Sequence, residues 1–221
     1  MAQNGKQVKK VLFATKCYEK DYHKFLSGAF ERKLESCCYP FTDQWLMLNN
    51  GVPDDVEFTP KTVNVLEHQA DALDFFDLTR DDFKASQGNG YWYSIAELVT
   101  IYLAEEFDYL CWVQGDCLIS PSKDWISEGI QILESDQSIS IVSPGSEVNT
   151  YGEIDQECSD QAFLIRVSEF RKPIYSWIEP EQPNYPSYGG ESFEFKVGQY
   201  LKNNGKGRRI LFESNLLHPQ Y

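Results

Sequence analysis

Histidine is scarce in this chain of 221 residues, which contains only His23, His68 and His218. The six cysteines form no Cys-x-x-Cys pair, and two of them, Cys37 and Cys38, are adjacent. A structural zinc site therefore has little support, because such sites use closely spaced Cys and His ligands. The absence of an export signal favours reduced, partly buried thiols over a disulfide framework.

Long apolar runs are also missing. No uninterrupted stretch is long enough to span a bilayer, and the first ten residues, MAQNGKQVKK, do not have the pattern of a signal peptide. We therefore expect no membrane insertion and a cytoplasmic location.

Basic residues are outnumbered, with 20 Lys and Arg against 34 Asp and Glu, and the formal net charge is −14. This balance argues against a surface that tracks the phosphates of DNA or RNA, so we expect no nucleic-acid partner. A small ligand that bears phosphate would need a local cation, either a basic cluster or a bound metal.

Short apolar runs alternate with segments of helical periodicity along most of the chain. Strands are predicted at 8–16, 43–51, 61–68, 109–116 and 138–144, and helices at 20–36, 91–107 and 124–135. The alternation predicts an α/β fold with a mostly parallel sheet flanked by helices. With no linker or internal repeat, residues 6–221 are expected to form a single domain.

Polar residues gather at the predicted strand ends, and the opening of residues 109–120, YLCWVQGDCLIS, is the clearest example. In parallel sheets, ligands bind in the crevice beyond the carboxyl ends of the strands. The candidates for donor-side binding at these ends are Thr15, Lys16, Asn49, Gln114 and Asp116. Lys16 is also a candidate for the cation that a diphosphate needs. The alternative for Asp116 is a cap of a turn or of the next helix.

Residues 87–94, QGNGYWYS, open the helix predicted before the central strand, with Asn89 as a suitable cap. Asn89 and Gly90 could bring backbone N–H groups towards a donor phosphate. The segment is not a Gly-x-Gly-x-x-Gly fingerprint, and no Walker lysine follows it.

This order of elements, with Gln114-Gly115-Asp116 after a central strand, a strand within 159–172 and a helix opened by 189–195, resembles the GT-A-fold glycosyltransferases. The similarity is greatest to their inverting, family-two-like group. It implies a nucleotide-diphospho-sugar transferase fold, with residues 6–120 as the nucleotide-sugar-binding half and 121–221 as the acceptor and catalytic half.

The resemblance also implies a divalent cation, Mn²⁺ or Mg²⁺, held by Asp116 together with the donor diphosphate. Gln114 stands where the family has its first acid, and an amide can bind a ribose but supplies no charge to the metal. His218, just past the last strand, matches a third metal ligand of relatives. Its alternative is a surface histidine near the C-terminus.

In that family an acid at the start of the late helix is the catalytic base. The family's aspartate position holds Ser192 here, so the role would fall to Glu191 or Glu194. The alternative for Glu191 is a first-turn acid favoured by the helix dipole. The preceding loop, 173–190, concentrates proline and aromatic residues, and Trp177, Tyr185 and Tyr188 are candidates for acceptor binding. Equally, they could pack the loop without any ligand.

The sequence therefore predicts a glycosyltransferase that moves a sugar from a nucleotide-sugar donor to a carbohydrate or other hydroxyl acceptor with the help of a metal. One alternative is a non-catalytic relative that binds a sugar nucleotide or a glycan. Another is a sugar-phosphate nucleotidyltransferase, which is disfavoured because KCYEKDY at 16–22 is not a Gly-rich basic loop. The donor sugar, the acceptor and the oligomeric state stay open.

Overall fold

The computed structural model describes residues 8–53, 55–83, 90–120, 124–145, 154–176 and 192–217. Its strands are β1 Val11–Cys17, β2 Asp43–Leu48, β3 Lys61–Asn64, β4 Tyr109–Val113, β5 Leu118–Ser120, β6 Ile139–Gly145, β7 Ile154–Asp155, β8 Ala162–Arg166 and β9 Gly207–Leu217. Its α-helices are α1 Tyr22–Leu26, α2 Ala29–Cys37, α3 Val65–Phe75, α4 Gly90–Leu103, α5 Trp125–Ser135, α6 Val167–Phe170 and α7 Phe193–Asn203.

The described strands form one nine-stranded sheet in the order β3-β2-β1-β4-β8-β6-β9-β5, with β7 paired to β9. Strands β1, β2, β3, β4, β6 and β9 share one direction, and β5, β7 and β8 run the opposite way. The mostly parallel α/β sheet predicted from the sequence is therefore confirmed. Strand β8 is the antiparallel insertion, and it lies directly beside the central strand β4.

Side chains alternate between the two faces of the sheet, and a separate core covers each face. On β1, Leu12 and Ala14 join the core built with α3, α4, α6 and α7. Val11 and Phe13 join the core built with α1, α2 and α5. The central strands are thus buried on both faces, which explains why β1 and β4 are nearly continuous apolar runs.

Two of the predicted elements differ from the structure. The helix predicted over 20–36 is divided into α1 and α2, because Gly28 between them adopts a left-handed conformation with φ of 81°. The strand predicted over 61–68 ends at Asn64. The side chain of Asn64 accepts a hydrogen bond from the Leu66 N–H at 3.0 Å and so caps the start of α3.

Two further helices begin with side-chain caps. Asp124 accepts a hydrogen bond from the Ser127 N–H at 2.9 Å and caps α5. Ser192 accepts one from the Phe195 N–H at 3.4 Å and caps α7. In the part of the chain that the structure describes, every helix is too short or too polar to cross a membrane.

Candidate active site

A cavity of about 360 Å³ opens at the carboxyl ends of β1, β2 and β4. This is the edge of the sheet at which the sequence predicts ligand binding. The segments after these strands and the first turn of α4 contribute its lining residues, which are Tyr18, Glu19, Lys20, Asp21, Asn50, Trp92, Tyr93, Gln114, Gly115 and Asp116. The cavity thus combines aromatic rings with carboxylates and one lysine.

The turn after β4 presents Asp116 to this cavity. Asp116 is exposed, and its Oδ1 accepts a hydrogen bond from the Cys117 thiol at 3.5 Å. It does not cap the following helix, because Asp124 does so. The turn is tight, since the Cys117 N–H donates to the Gln114 carbonyl at 3.0 Å.

Gly115 is required at the centre of this turn by close packing. A Cβ atom placed there would lie 2.4 Å from the carbonyl oxygen of Lys16, at the end of β1. On the other side, the Gln114 N–H donates to the carbonyl of Gln161 at 2.7 Å, just before β8. The turn is therefore wedged between β1 and the antiparallel strand β8.

The first turn of α4 forms the aromatic wall of the cavity, and side chains at and just beyond the ends of β1 and β2 fix it in place. The hydroxyl of Tyr18 and the amide nitrogen of Asn49 both donate to the Trp92 carbonyl at 2.8 Å. The ammonium of Lys16 donates to the Tyr93 carbonyl at 2.8 Å. The strand ends thus set the position of the rings of Trp92 and Tyr93.

Lys16 is fully buried behind this wall, where its ammonium lies 2.6 Å from Oε1 of Glu97 and 3.9 Å from Oδ2 of Asp160. Burial raises the pKa of Glu97 to about 7, although the facing Lys16 opposes the shift. The ring of Trp112 also faces the ammonium, with its centroid 5.8 Å away. Lys16 is therefore already partnered by the protein.

The structure does not bring Thr15, Lys16 or Asn49 to the cavity surface. The side chain of Thr15 is completely buried within β1, and Asn49 is 3% exposed. These side chains shape the cavity from behind, and Asn50 is the neighbour that lines it. The geometry gives no support to direct donor contact by the three residues, which stays a prediction.

Glu194, one of the two candidate bases, lies in the first turn of α7 and pairs with Asp160. Its Oε1 accepts a hydrogen bond from the Asp160 N–H at 2.6 Å. Burial and then the Asp160 carboxylate raise the pKa of Glu194 to about 8. Together with Lys16 and Glu97, the two acids form a largely buried charged cluster beside the end of β4.

Sequence reasoning missed three members of this region: Glu97, Asp160 and Lys33. Glu97 stands among apolar residues in α4, and a charge in such a setting was the available signal. Asp160 just precedes a strand, like many turn residues. Lys33 lies on α2 but is 1% exposed, and its ammonium donates to the carbonyls of Gln114, at 2.9 Å, and Cys117.

Some of the oxygen atoms at the cavity are suitable ligands for a hard divalent cation. Asp116 offers an exposed carboxylate, and the amide of Gln114 lies beside it. Among the described residues, no group of three or more His, Cys, Asp or Glu is arranged to hold a metal by itself. Mg²⁺ commonly binds to one or two carboxylates and completes its shell with substrate phosphates and water. Asp116 therefore fits an ion that binds together with a diphosphate.

Several predicted site residues lie outside the described residues, and their roles remain predictions. They are Asn89, Trp177, Tyr185, Tyr188, Glu191 and His218. Gly90 is described as the first residue of α4, so the helix does begin beside the predicted donor segment.

No protein-family model and no curated protein matches the sequence. Among solved structures, glucosyl-3-phosphoglycerate synthase from Mycobacterium tuberculosis is similar in three complexes. The complex with Mn²⁺, UDP-glucose and phosphoglyceric acid has a TM-score of 0.54 and 12% identity, over 96% of this chain and 72% of that chain.

The complex with Mn²⁺, UDP and glucosyl-3-phosphoglycerate gives a TM-score of 0.52 and 11% identity, over 96% of this chain and 73% of that one. The complex with Mg²⁺ and UDP gives 0.51 and 11%, over 96% and 72%. Nothing in these comparisons assigns the chain to the family-two-like group. At this identity the likeness concerns architecture alone: the chain has the GT-A glycosyltransferase fold.

Proposed function

We propose that this protein is a glycosyltransferase that moves a sugar from a nucleotide-sugar donor to a hydroxyl acceptor, assisted by a divalent cation. One observation carries the proposal. The cavity at the carboxyl ends of β1, β2 and β4 is lined both by Asp116 and Gln114 and by the aromatic residues Tyr18, Trp92 and Tyr93. A cavity with this lining offers polar groups for a diphosphate and aromatic rings for a flat ring system.

The aromatic wall suits the nucleoside or the sugar of the donor. Tyr93 is 47% exposed, so part of this residue can contact a ligand, and the ring of Tyr18 packs edge-on against its ring with centroids 6.1 Å apart. Stacking of a base on an aromatic ring is typically worth about 1–3 kcal/mol. Hydrogen bonds from Lys16, Tyr18 and Asn49 already fix the backbone of Trp92 and Tyr93, so binding would cost little conformational entropy there.

Asp116 is the residue that we expect to hold the divalent cation, with the Gln114 amide free to bind a ribose hydroxyl. When bound, the cation would offset the charge of the departing diphosphate. Two of the glucosyl-3-phosphoglycerate synthase complexes described above contain Mn²⁺ or Mg²⁺ together with UDP. Lys20 is the one lysine on the described cavity surface, so the protein itself supplies little positive charge to a diphosphate there. A bound cation would supply the rest.

The transfer step requires a group that takes the acceptor's proton. The acceptor oxygen forms a bond to the anomeric carbon, the bond from that carbon to the diphosphate oxygen breaks, and the hydroxyl proton passes to a carboxylate. Glu194 is our candidate among the described residues, and Glu191 is the other candidate. With a pKa of about 8, Glu194 is mostly protonated at neutral pH, and its ionised form is a stronger proton acceptor than an ordinary glutamate.

A thermal-shift screen with UDP-, GDP-, CMP- and dTDP-sugars, each with and without Mn²⁺, tests the donor assignment. A bound donor should stabilise the protein by roughly 2–4 kcal/mol at 100 to 1,000 times its Kd. We expect one nucleotide class to stand out and to need the metal. Equal shifts with EDTA would show that the diphosphate is bound without a cation, and no shift with any donor would contradict the proposal.

A non-catalytic relative that binds a sugar nucleotide or a glycan is the second candidate, and two observations favour it. Gln114 replaces an acid beside Asp116. The hydroxyl of Ser192 caps α7, and this residue stands where GT-A-fold glycosyltransferases of the family-two-like group have an aspartate, so the position offers no carboxylate. Binding of a donor without turnover would support this candidate.

A further inference from the structure

Lys33 is a buried cation that reaches from α2 to the turn carrying Asp116. Its side chain is 1% exposed, and its ammonium donates to two carbonyls of that turn, those of Gln114 and Cys117. These two residues flank Gly115 and Asp116, so one ammonium bridges the two ends of the turn. Lys33 and Gln114 are 81 positions apart in the sequence, and local chain geometry does not account for this contact.

No salt bridge compensates for the burial of this ammonium in the described part of the chain, although the Asp116 and Asp21 carboxylates favour its charge from farther away. Among those residues, no carboxylate lies within ion-pair distance of Lys33. Burial accordingly lowers the pKa of Lys33 to about 8. A buried charge without a counter-ion is unfavourable unless hydrogen bonds replace its hydration. The two carbonyls are that replacement, which makes the ammonium and the turn conformation interdependent.

Different contacts hold the two ends of the turn. The Gln114 N–H binds the Gln161 carbonyl, and Gly115 is pressed against the Lys16 carbonyl, so the start of the turn is held by β1 and β8. The Cys117 carbonyl, on the far side of Asp116, is held by Lys33. Lys33 therefore joins the two ends of the segment from which Asp116 projects.

We infer that Lys33 is a positioning residue, which holds the Gln114–Cys117 turn in the conformation that presents the Asp116 carboxylate to a diphosphate and its cation. This inference rests on the proposed function. Residues that orient a metal ligand from behind typically change metal affinity or activity by about 10–100-fold when replaced. Lys33 would act through Asp116 and not by contact with the donor.

Hydrogen–deuterium exchange of the segment 109–120 tests the structural half of the inference without any ligand. In Lys33→Met the Cys117 amide, which donates within the turn, should exchange about tenfold or more faster than in wild type. Lys196→Met is the matched control, because Lys196 is also 1% exposed but lies on α7 with its ammonium 5.3 Å from the Phe83 ring centroid. Unchanged exchange in Lys33→Met would overturn the inference.

A double-mutant cycle tests the functional half, with UDP and Mn²⁺ as the probe in isothermal titration calorimetry. Lys33→Met alone should raise the Kd of UDP by about 10–100-fold. In the Asp116→Asn background the same substitution should change the Kd by less than about threefold, since its effect passes through Asp116. Lys33→Gln, which keeps an N–H donor, should fall between wild type and Lys33→Met, and it serves if the methionine variant does not fold.

The outcomes separate the two proposals. Equal UDP affinity in wild type and Lys33→Met, or additive effects in the cycle, would overturn the role of Lys33 and leave the proposed function standing. Failure of wild type to bind UDP, GDP, CMP or dTDP with Mn²⁺ would overturn the proposed function. Faster exchange of the turn in Lys33→Met would then still support its structural role.

Discussion

The ammonium of Lys16, at the end of β1, lies 2.6 Å from a carboxylate oxygen of Glu97 in α4, and neither side chain is exposed to solvent. The same ammonium donates to the Tyr93 carbonyl. This buried pair connects β1 to α4, the helix whose first turn forms the aromatic wall of the cavity. The position of the candidate donor site therefore depends on an ion pair buried behind the cavity.

Removal of one member of this pair should be strongly destabilising. Lys16→Met should lower the free energy of unfolding by about 3–5 kcal/mol, because it leaves a carboxylate buried without its partner. The double variant Lys16→Met/Glu97→Leu should recover much of that loss, since it leaves no buried charge behind. Urea unfolding monitored by circular dichroism measures both changes. A double variant that is less stable than both single variants would contradict this account of the pair.

Gly115→Ala should distort the turn after β4. The added Cβ would meet the Lys16 carbonyl oxygen at 2.4 Å, and the backbone cannot give way cheaply, so we expect a loss of about 1–3 kcal/mol in unfolding free energy. Gly198→Ala is the control. Gly198 lies in α7, and a Cβ atom there would be at an ordinary contact distance of 3.6 Å from the Gln156 carbonyl oxygen. Alanine at this position should stabilise the helix by roughly 0.5–1 kcal/mol. Equal effects of the two substitutions would contradict the packing argument.

Asp116→Asn should weaken the binding of UDP in the presence of Mn²⁺ by about tenfold or more, because the amide supplies no charge to the cation. The fold should be unaffected, since Asp116 is exposed. Calorimetric titration with and without EDTA separates the metal-dependent part of the affinity. If Asp116→Asn binds UDP as tightly as wild type, the carboxylate is not the metal ligand.

Glu194→Gln should change how stability depends on pH. Burial and the Asp160 carboxylate raise the pKa of Glu194 from 4.5 to about 8 in the folded state. The stabilising contribution is thus fully present below about pH 4.5 and is lost as pH rises through about 8. The unfolding free energy of wild type relative to Glu194→Gln should fall on the order of 1–3 kcal/mol between pH 5 and 9.

Urea unfolding at pH 5, 7 and 9 provides this comparison, with Glu35→Gln on the exposed surface of α2 as the control. A difference between wild type and Glu194→Gln that does not vary with pH would show that the Glu194 carboxyl is not perturbed as described. The same variant bears on catalysis. If Glu194 is the base, turnover should fall by about 10²–10⁴-fold with donor affinity nearly intact. Full activity in Glu194→Gln and in Glu191→Gln would refute both base assignments.

Much of the fold was predictable because its signals are local. The apolar runs that became β1, β2, β4 and β6 and the amphipathic pattern of α5 are visible in the sequence, and parallel strands place their polar ends at one edge. The strand predicted over 61–68 was half wrong, because β-branched Thr62, Val63 and Val65 surround Asn64. Its role as a helix cap depends on where the chain leaves the sheet.

The cavity edge was predicted, but its electrostatics were not. Lys16 was predicted as a cation for a diphosphate, and the structure shows that it forms a buried pair with Glu97, 81 positions away. Likewise, Lys33 contacts the turn after β4 and Asp160 contacts Glu194 of α7, and both contacts join elements that are far apart in the sequence. No local pattern distinguishes a buried lysine on α2 from the solvated lysines that most helices carry.

The most direct test of the central claim is the release of nucleotide from the donor selected by thermal shift. The assay would contain Mn²⁺ and a panel of hydroxyl acceptors that includes monosaccharides, oligosaccharides and phosphoglyceric acid. We predict that release by wild type depends on both an acceptor and Mn²⁺ and falls at least tenfold in Asp116→Asn. Tight donor binding without release for every acceptor would contradict the transferase assignment and favour the non-catalytic binding protein.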